Sequence, residues 1–187
     1  MRVARDLAKT TMLCQSDFLM VKKPPVPYLV KLGFLEESGQ AFHHQASLTA
    51  YLKTLCPDDF RLEIVKMTTC LLPLQFGARF GIVSTPVLVR DVYLCCGKIK
   101  VVFARSFLPL STLKGYWRCL KRLDKPLGEV LFQHSNIRRE HVTTQKIAYP
   151  KPCLGRFLIF RLPTGPILVT EWLALKNNFS TPSNCHV

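Results

Sequence analysis

The segment Pro166 to Leu175, PILVTEWLAL, alternates like a β-strand and puts one carboxylate, Glu171, on the same face as Ile167, Val169, Leu173 and Leu175. An ionised group in that company must be paired, neutral or solvated, because burying it alone costs several kcal/mol or more. Two readings follow. Either Glu171 meets a structural arginine or a wet rim, or it is a carboxyl group at the floor of a ligand pocket. Two further strand-like segments also carry charge among apolar residues. In TPVLVRDVYLCC, Arg90 shares a face with Leu88, Val92 and Leu94, with Asp91 on the other side. In KVVFARSFLP, Arg105 shares a face with Val101, Phe103 and Phe107. Each arginine is either a snorkelling or structurally paired side chain, or part of an anion site.

Helix starts supply the other chemistry. Ser47 precedes LTAYLKTLC, where Leu48, Leu52 and Leu55 recur at helical spacing, so Ser47 is an N-cap with free amides at Leu48 and Thr49. In KPLGEVLF, Pro126 suits the first turn of a short helix whose exposed amides belong to Leu127 and Gly128. One inward acid, inward arginines and two helix N-termini together suit a small, otherwise apolar ligand bearing a carboxylate.

The elements that must position these groups follow from periodicity. Strands are predicted over 60–72, 85–96, 100–109, 137–147, 156–162 and 166–175, with turns at Gly97-Lys98 and at Pro163-Thr164-Gly165. A helix is predicted after Ser111 or Thr112, with Leu113, Trp117, Leu120 and Leu123 inward and Lys114, Arg118, Lys121 and Arg122 outward. Tyr28 to Glu37 has a weaker helical pattern. Consecutive hairpins with a few helices between them make an α+β fold, a single domain around an antiparallel sheet. Residues 45–176 form that domain, 1–44 a leader and extended segment without clear pattern, and 177–187 a loose tail.

Composition bounds the partners. The 187 residues carry 26 Lys and Arg against 12 Asp and Glu, a net charge of +14, and 15 of the 26 bases lie in 94–187. Such a surplus attracts anions: nucleic acid, a membrane surface or a small acidic substrate. No nucleic-acid-binding signature accompanies it. The eight cysteines include no CxxC and no ligand cluster with histidine, and His43 and His44 are adjacent rather than on one helix face. The expectation is therefore no metal, reduced thiols and a cytoplasmic, soluble protein, with neither a signal-peptide core nor an apolar run long enough to span a membrane. Dinucleotide, P-loop, zinc-protease and nucleophile-elbow motifs are absent.

FARSFLPLSTL (Phe103 to Leu113), KPLGEVLF (Lys125 to Phe132), LGRFLIF (Leu154 to Phe160) and PILVTEWL (Pro166 to Leu173) occur in an order that resembles the chorismate pyruvate-lyase family. VLVRDVYLCCG (Val87 to Gly97) is similar to that family's strand with a ligand-binding arginine, and ASLT to its early helix start. The resemblance implies a roughly six-stranded antiparallel sheet with helices and an internal site. It implies a lyase that needs no cofactor and no metal, splitting chorismate into 4-hydroxybenzoate and pyruvate for ubiquinone biosynthesis, as a monomer with no nucleic-acid partner. The implied site is Arg90, Glu171 and the backbone at Leu48 and Leu127, with Arg105 and Arg156 as further supports. Arg90 is expected to hold the ring carboxylate. Glu171 is expected to face the C4 oxygen, taken as the leaving position, as a neutral carboxyl that donates a proton or only a hydrogen bond. Two other readings are a non-catalytic ligand-sensing domain of the same fold and a basic nucleic-acid binder.

Overall fold

A computed structural model describes residues 47–72, 86–147 and 153–174. The elements, in chain order, are α1 (Leu48–Leu55), β1 (Phe60–Leu71), β2 (Pro86–Cys96), β3 (Ile99–Pro109), a 3-10 helix (Gly115–Arg122), α2 (Leu127–Leu131), β4 (Arg138–Ile147), β5 (Cys153–Leu162) and β6 (Gly165–Ala174). The expected helix at 28–37, the leader, His43, His44 and the tail lie outside the described residues.

The fold is α+β, around one sheet of order β1-β2-β3-β6-β5-β4 in which every neighbouring pair is antiparallel. Two three-stranded meanders, β1–β3 and β4–β6, meet edge to edge where β3 pairs with β6. The 3-10 helix and α2 lie on the connection between them. β3 and β6 are therefore central strands, which is why their residues are buried on both faces. Phe103 and Phe107 on one side of β3 are as closed to water as Val102, Ala104 and Leu108 on the other. Antiparallel partners lie on the same face, so the register sorts side chains into rows across the sheet. One row runs Arg90, Ser106, Val169 and Leu158, and the next runs Val92, Ala104, Glu171 and Arg156.

A large core lies between this face and the connection: Leu113, Trp117, Leu120, Leu123, Leu127, Val130 and Leu131 pack against Leu108, Leu158, Phe160, Ile167 and Val169. A second cluster seats α1, through Leu48 and Leu52, on Leu94, Val102 and Leu173. Burying a large aliphatic side chain contributes about 1.5–3 kcal/mol, so these contacts hold two short helices that could not persist alone. Lys53 on α1 also pairs with Glu129 on α2 at 2.9 Å, at a half-exposed position that adds little.

Two expectations are corrected. The segment after Ser111 is a 3-10 helix that begins only at Gly115, with Lys114 as its N-cap and no side-chain cap. The apolar spacing is right, but Gly115 takes a positive φ of 53°, which holds the helix start beyond Thr112. Thr112 instead ties down the β5–β6 turn. Its hydroxyl donates to the Pro166 carbonyl at 3.3 Å, and its own carbonyl accepts from the Thr164 hydroxyl at 2.7 Å. Gly165 in that turn has φ 138°, and a Cβ there would stand 2.6 Å from Thr112 Oγ1. Gly165→Ala is therefore expected to destabilise the fold by about 1–3 kcal/mol, read as a lower urea midpoint at unchanged slope.

The second correction concerns the thiols. Cys56, the C-cap of α1, and Cys96, the last residue of β2, form a disulfide across 40 residues of chain. Cys96 ends an apolar run, where cysteine reads as a small hydrophobe, and Cys56 closes a helix ahead of Pro57, so only the packing of α1 on β2 brings them together. Among the described residues, Cys95 and Cys119 remain thiols. No helix of the described residues is long and apolar enough to cross a membrane.

Candidate active site

The two rows of the sheet face α1 and α2 across a cavity. Its floor is Arg90, Val92 and Leu94 of β2, Ala104 and Ser106 of β3, Val169 and Glu171 of β6, and Arg156, Leu158 and Phe160 of β5. Its roof is Ser47, Leu48 and Thr49 at the start of α1, with Pro126, Leu127, Gly128 and Phe132 around α2. The cavity exists because β3 contributes the small side chains of Ala104 and Ser106 to its floor; larger side chains there would fill it. The walls are aliphatic and aromatic with a few charged groups, the composition of a small-molecule site.

Arg90 is the largest fully buried side chain among the described residues, 1% exposed. Its Nη2 donates to the Leu123 carbonyl at 3.2 Å and the Lys125 carbonyl at 3.0 Å, both just ahead of α2. Those two bonds fix the guanidinium and the α2 N-terminus relative to each other. Its Nε has no hydrogen-bond partner among the described residues. Burial pushes the Arg90 pKa down to about 10, against the pull of Asp124, so the group is still a cation at neutral pH. A buried cation with an unused donor at a cavity wall is suited to a carboxylate.

The α1 N-terminus approaches the same space. Ser47 Oγ accepts from the Ala50 amide at 3.3 Å, as an N-cap does, and the amides of Leu48 and Thr49 lie in the first turn, where no intrahelical acceptor exists. Leu48 and Leu127 are both buried. A Cβ added to Gly128 would stand 3.6 Å from Ser47 Oγ, which shows how closely the two helix starts converge. Local positive charge from helix N-termini and Arg90 thus collects at one end of the cavity.

Glu171 lies in the neighbouring row and across one intervening strand, about 12 Å along the sheet from Arg90. It is ion-paired with Arg156 Nε, both side chains being nearly closed to solvent. The expected isolated carboxyl is therefore corrected: β5 places a guanidinium beside it. Arg156 does line the cavity, as expected of a support. Arg105 does not. It lies on the opposite face of the sheet, where it makes a two-pronged pair with Asp91, Nε to Oδ1 at 2.7 Å and Nη2 to Oδ2 at 2.8 Å. The structural reading holds for Arg105, and its expected role as a further support of the site is withdrawn.

Alternation alone missed Ala104, Ser106, Phe132 and Phe160. For the first two the signal was present: they are the small residues of FARSFLP, and a small residue on a central strand marks a void or a close approach. Arg90, Leu48, Leu127, Glu171 and Arg156 are all brought together at the cavity.

Comparison with known proteins identifies the family. The family model described as chorismate lyase matches residues 35–181. A probable chorismate pyruvate-lyase from Nitrosomonas eutropha is 35% identical over 147 residues, covering 68% of this chain and 81% of that protein. One of the same description from Methylococcus capsulatus is 32% identical, covering 68% of this chain and 88% of its own. Among solved structures, the effector domain of PhnF from Mycobacterium smegmatis superposes with a TM-score of 0.51 at 11% identity, over 70% of this chain and 90% of that one. That likeness concerns the fold alone. On the family match and the extent of the curated similarity, the chain belongs to the chorismate lyase family.

Proposed function

We propose that the protein is a cofactor-independent lyase that converts chorismate to 4-hydroxybenzoate and pyruvate. The observation that carries this reading is Arg90, a buried cation with an unused Nε at the wall of an apolar cavity whose far end holds a carboxylate. 4-Hydroxybenzoate has the matching pattern, a carboxylate and a hydroxyl at opposite ends of a flat ring.

The bond changes assign the work. The C3–O bond of chorismate breaks and its electron pair leaves on the enolpyruvyl oxygen. The C4 proton is lost, its electron pair completes the aromatic ring, and the methyl group of pyruvate gains a proton. The C4 oxygen stays on the product as the phenol hydroxyl, so it is not the leaving position. Glu171, paired with Arg156, accepts a hydrogen bond from that hydroxyl and fixes the C4 hydrogen relative to the breaking ether. Arg90 and the amides at Leu48 and Leu127 hold the ring carboxylate. Aromatisation supplies the driving force, which leaves orientation and placed charge as the protein's share.

This reading takes the chain as a monomer acting on a small dianion, without nucleic acid, in the cytoplasm and ahead of ubiquinone formation. The Cys56–Cys96 disulfide pulls the other way on compartment. The test is to mix purified protein with chorismate and quantify both products. Equimolar 4-hydroxybenzoate and pyruvate are expected. Tight 4-hydroxybenzoate binding without turnover would favour a ligand-sensing domain, and salt-sensitive retention on DNA without turnover a basic nucleic-acid binder.

A further inference from the structure

Ser106 of β3 is a polar residue of the cavity that the chemistry above does not use. It is 2% exposed and lines the floor. Its hydroxyl has no hydrogen-bond partner among the described residues, whereas the buried Thr112 and Thr170 hydroxyls donate to the Pro166 and Arg105 carbonyls. A buried hydroxyl without a partner costs about 1–3 kcal/mol, and an alanine would line the same floor without that cost. The group is therefore matched to an acceptor on the ligand.

The register shows where that acceptor lies. β3 is the strand between Arg90 and Glu171, with Ser106 in the row of Arg90 and Val169, and Ala104 in the row of Val92 and Glu171. The line from Arg90 to Glu171 thus crosses β3 between Ala104 and Ser106. A ring laid along it, with its carboxylate at Arg90 and its para oxygen at Glu171, has Ser106 and Val169 beside one long edge. Val92 and Ala104 lie beside the other. One edge meets a hydroxyl and the other only hydrocarbon. The two remaining hydroxyls of the cavity wall stand in the roof: Ser47 Oγ accepts from the Ala50 amide, and Thr49 lies in the first turn of α1 at the carboxylate end.

On the lyase reading above, on which this inference rests, the substrate has the same asymmetry. Its enolpyruvyl ether is at C3, and C5 carries only hydrogen. We propose that Ser106 is a catalytic residue whose hydroxyl donates a hydrogen bond to the ether oxygen at C3. The carboxylate and the C4 oxygen lie close to one axis of the ring, so holding them leaves open which edge faces which wall. Ser106 fixes that choice. The bond strengthens as the C3–O bond breaks, because the electron pair leaves on this oxygen as the enolate of pyruvate. The serine keeps its own proton; the C4 proton is lost and the enolate carbon takes one up, as above. The aromatic product has only hydrogen at that edge and makes no use of Ser106.

The test pairs turnover with the binding of two unreactive ligands by calorimetry, 4-hydroxybenzoate and its ether 3-(carboxymethoxy)-4-hydroxybenzoate. In Ser106→Ala, kcat is expected to fall about ten- to fiftyfold and the ether to bind about three- to tenfold more weakly, with 4-hydroxybenzoate changed by less than about twofold. Ser106→Thr and Ser106→Val have the same shape and differ only in the hydroxyl, so Thr should keep the preference for the ether and Val should lose it. Equal weakening of both ligands in Ser106→Ala, an unchanged ether affinity, or no difference between Thr and Val overturns the proposal. The binding ratio stands apart from turnover. A wild-type protein that binds both ligands but never splits chorismate refutes the lyase, and the same ratio still decides whether Ser106 meets the ether oxygen.

Discussion

Arg90→Ala is expected to weaken 4-hydroxybenzoate binding by about a hundred- to a thousandfold, roughly 3–4 kcal/mol, and to raise the chorismate KM in parallel. The expectation rests on what the side chain lacks without a ligand. Desolvation already lowers its pKa to about 10, and two backbone carbonyls hold one end of the fork while Nε stays unused. A ligand carboxylate supplies both the countercharge and the missing acceptor, and an alanine can offer neither. Arg90→Lys keeps the charge but not the planar fork, so it should sit between the two, at about tenfold. The substitution also frees the Leu123 and Lys125 carbonyls that position α2, so thermal melting belongs beside the titration. A folded Arg90→Ala protein that binds 4-hydroxybenzoate within about threefold of wild type would remove Arg90 from the site.

Which charges could be read from sequence depends on the sheet. Strands and hairpins were legible because β-branched alternation and turn residues are local signals. Arg90 and Glu171 were legible as charges in apolar company, and so was Arg105, yet only the first two line the cavity. β3 is a central strand with apolar residues on both faces, so alternation sets Arg105 among apolar neighbours without showing on which side. The register settles it: Arg90 faces Ser106, and the adjacent Asp91 faces Arg105, on opposite surfaces of the same two strands. Asp91 beside Arg90 was the usable hint. Arg156 and Glu171 face each other across β5 and β6, a pairing fixed by the short turn at Pro163-Thr164-Gly165. The Cys56–Cys96 bond had no comparable local signal, since it depends on where α1 docks. The 3-10 helix shows a limit of another kind. Its apolar stripe is legible, but i+3 and i+4 spacings overlap over two turns, and one positive-φ glycine decides where the helix starts.

The two readings of Glu171, structural ion pair and functional carboxylate, make different predictions once Arg156 is varied with it. Glu171→Gln keeps the shape and one acceptor oxygen but removes the charge next to a guanidinium that is nearly closed to water. Breaking a buried pair from one side costs up to about 3–5 kcal/mol, so a lower melting temperature is expected whichever reading holds. Turnover is the discriminating quantity. If the carboxylate accepts from the C4 hydroxyl, Glu171→Gln should slow kcat by about a hundredfold while 4-hydroxybenzoate affinity falls by less than tenfold. Replacing both members, Glu171→Gln with Arg156→Met, removes the stranded cation and should restore much of the lost stability, since an apolar replacement of a buried pair is often neutral. It should not restore kcat. Recovery of turnover along with stability would mean that the pair only holds β5 to β6, and a wild-type rate in Glu171→Gln alone would do the same. Slow turnover in a restabilised double variant would place the carboxylate itself against the reacting ring.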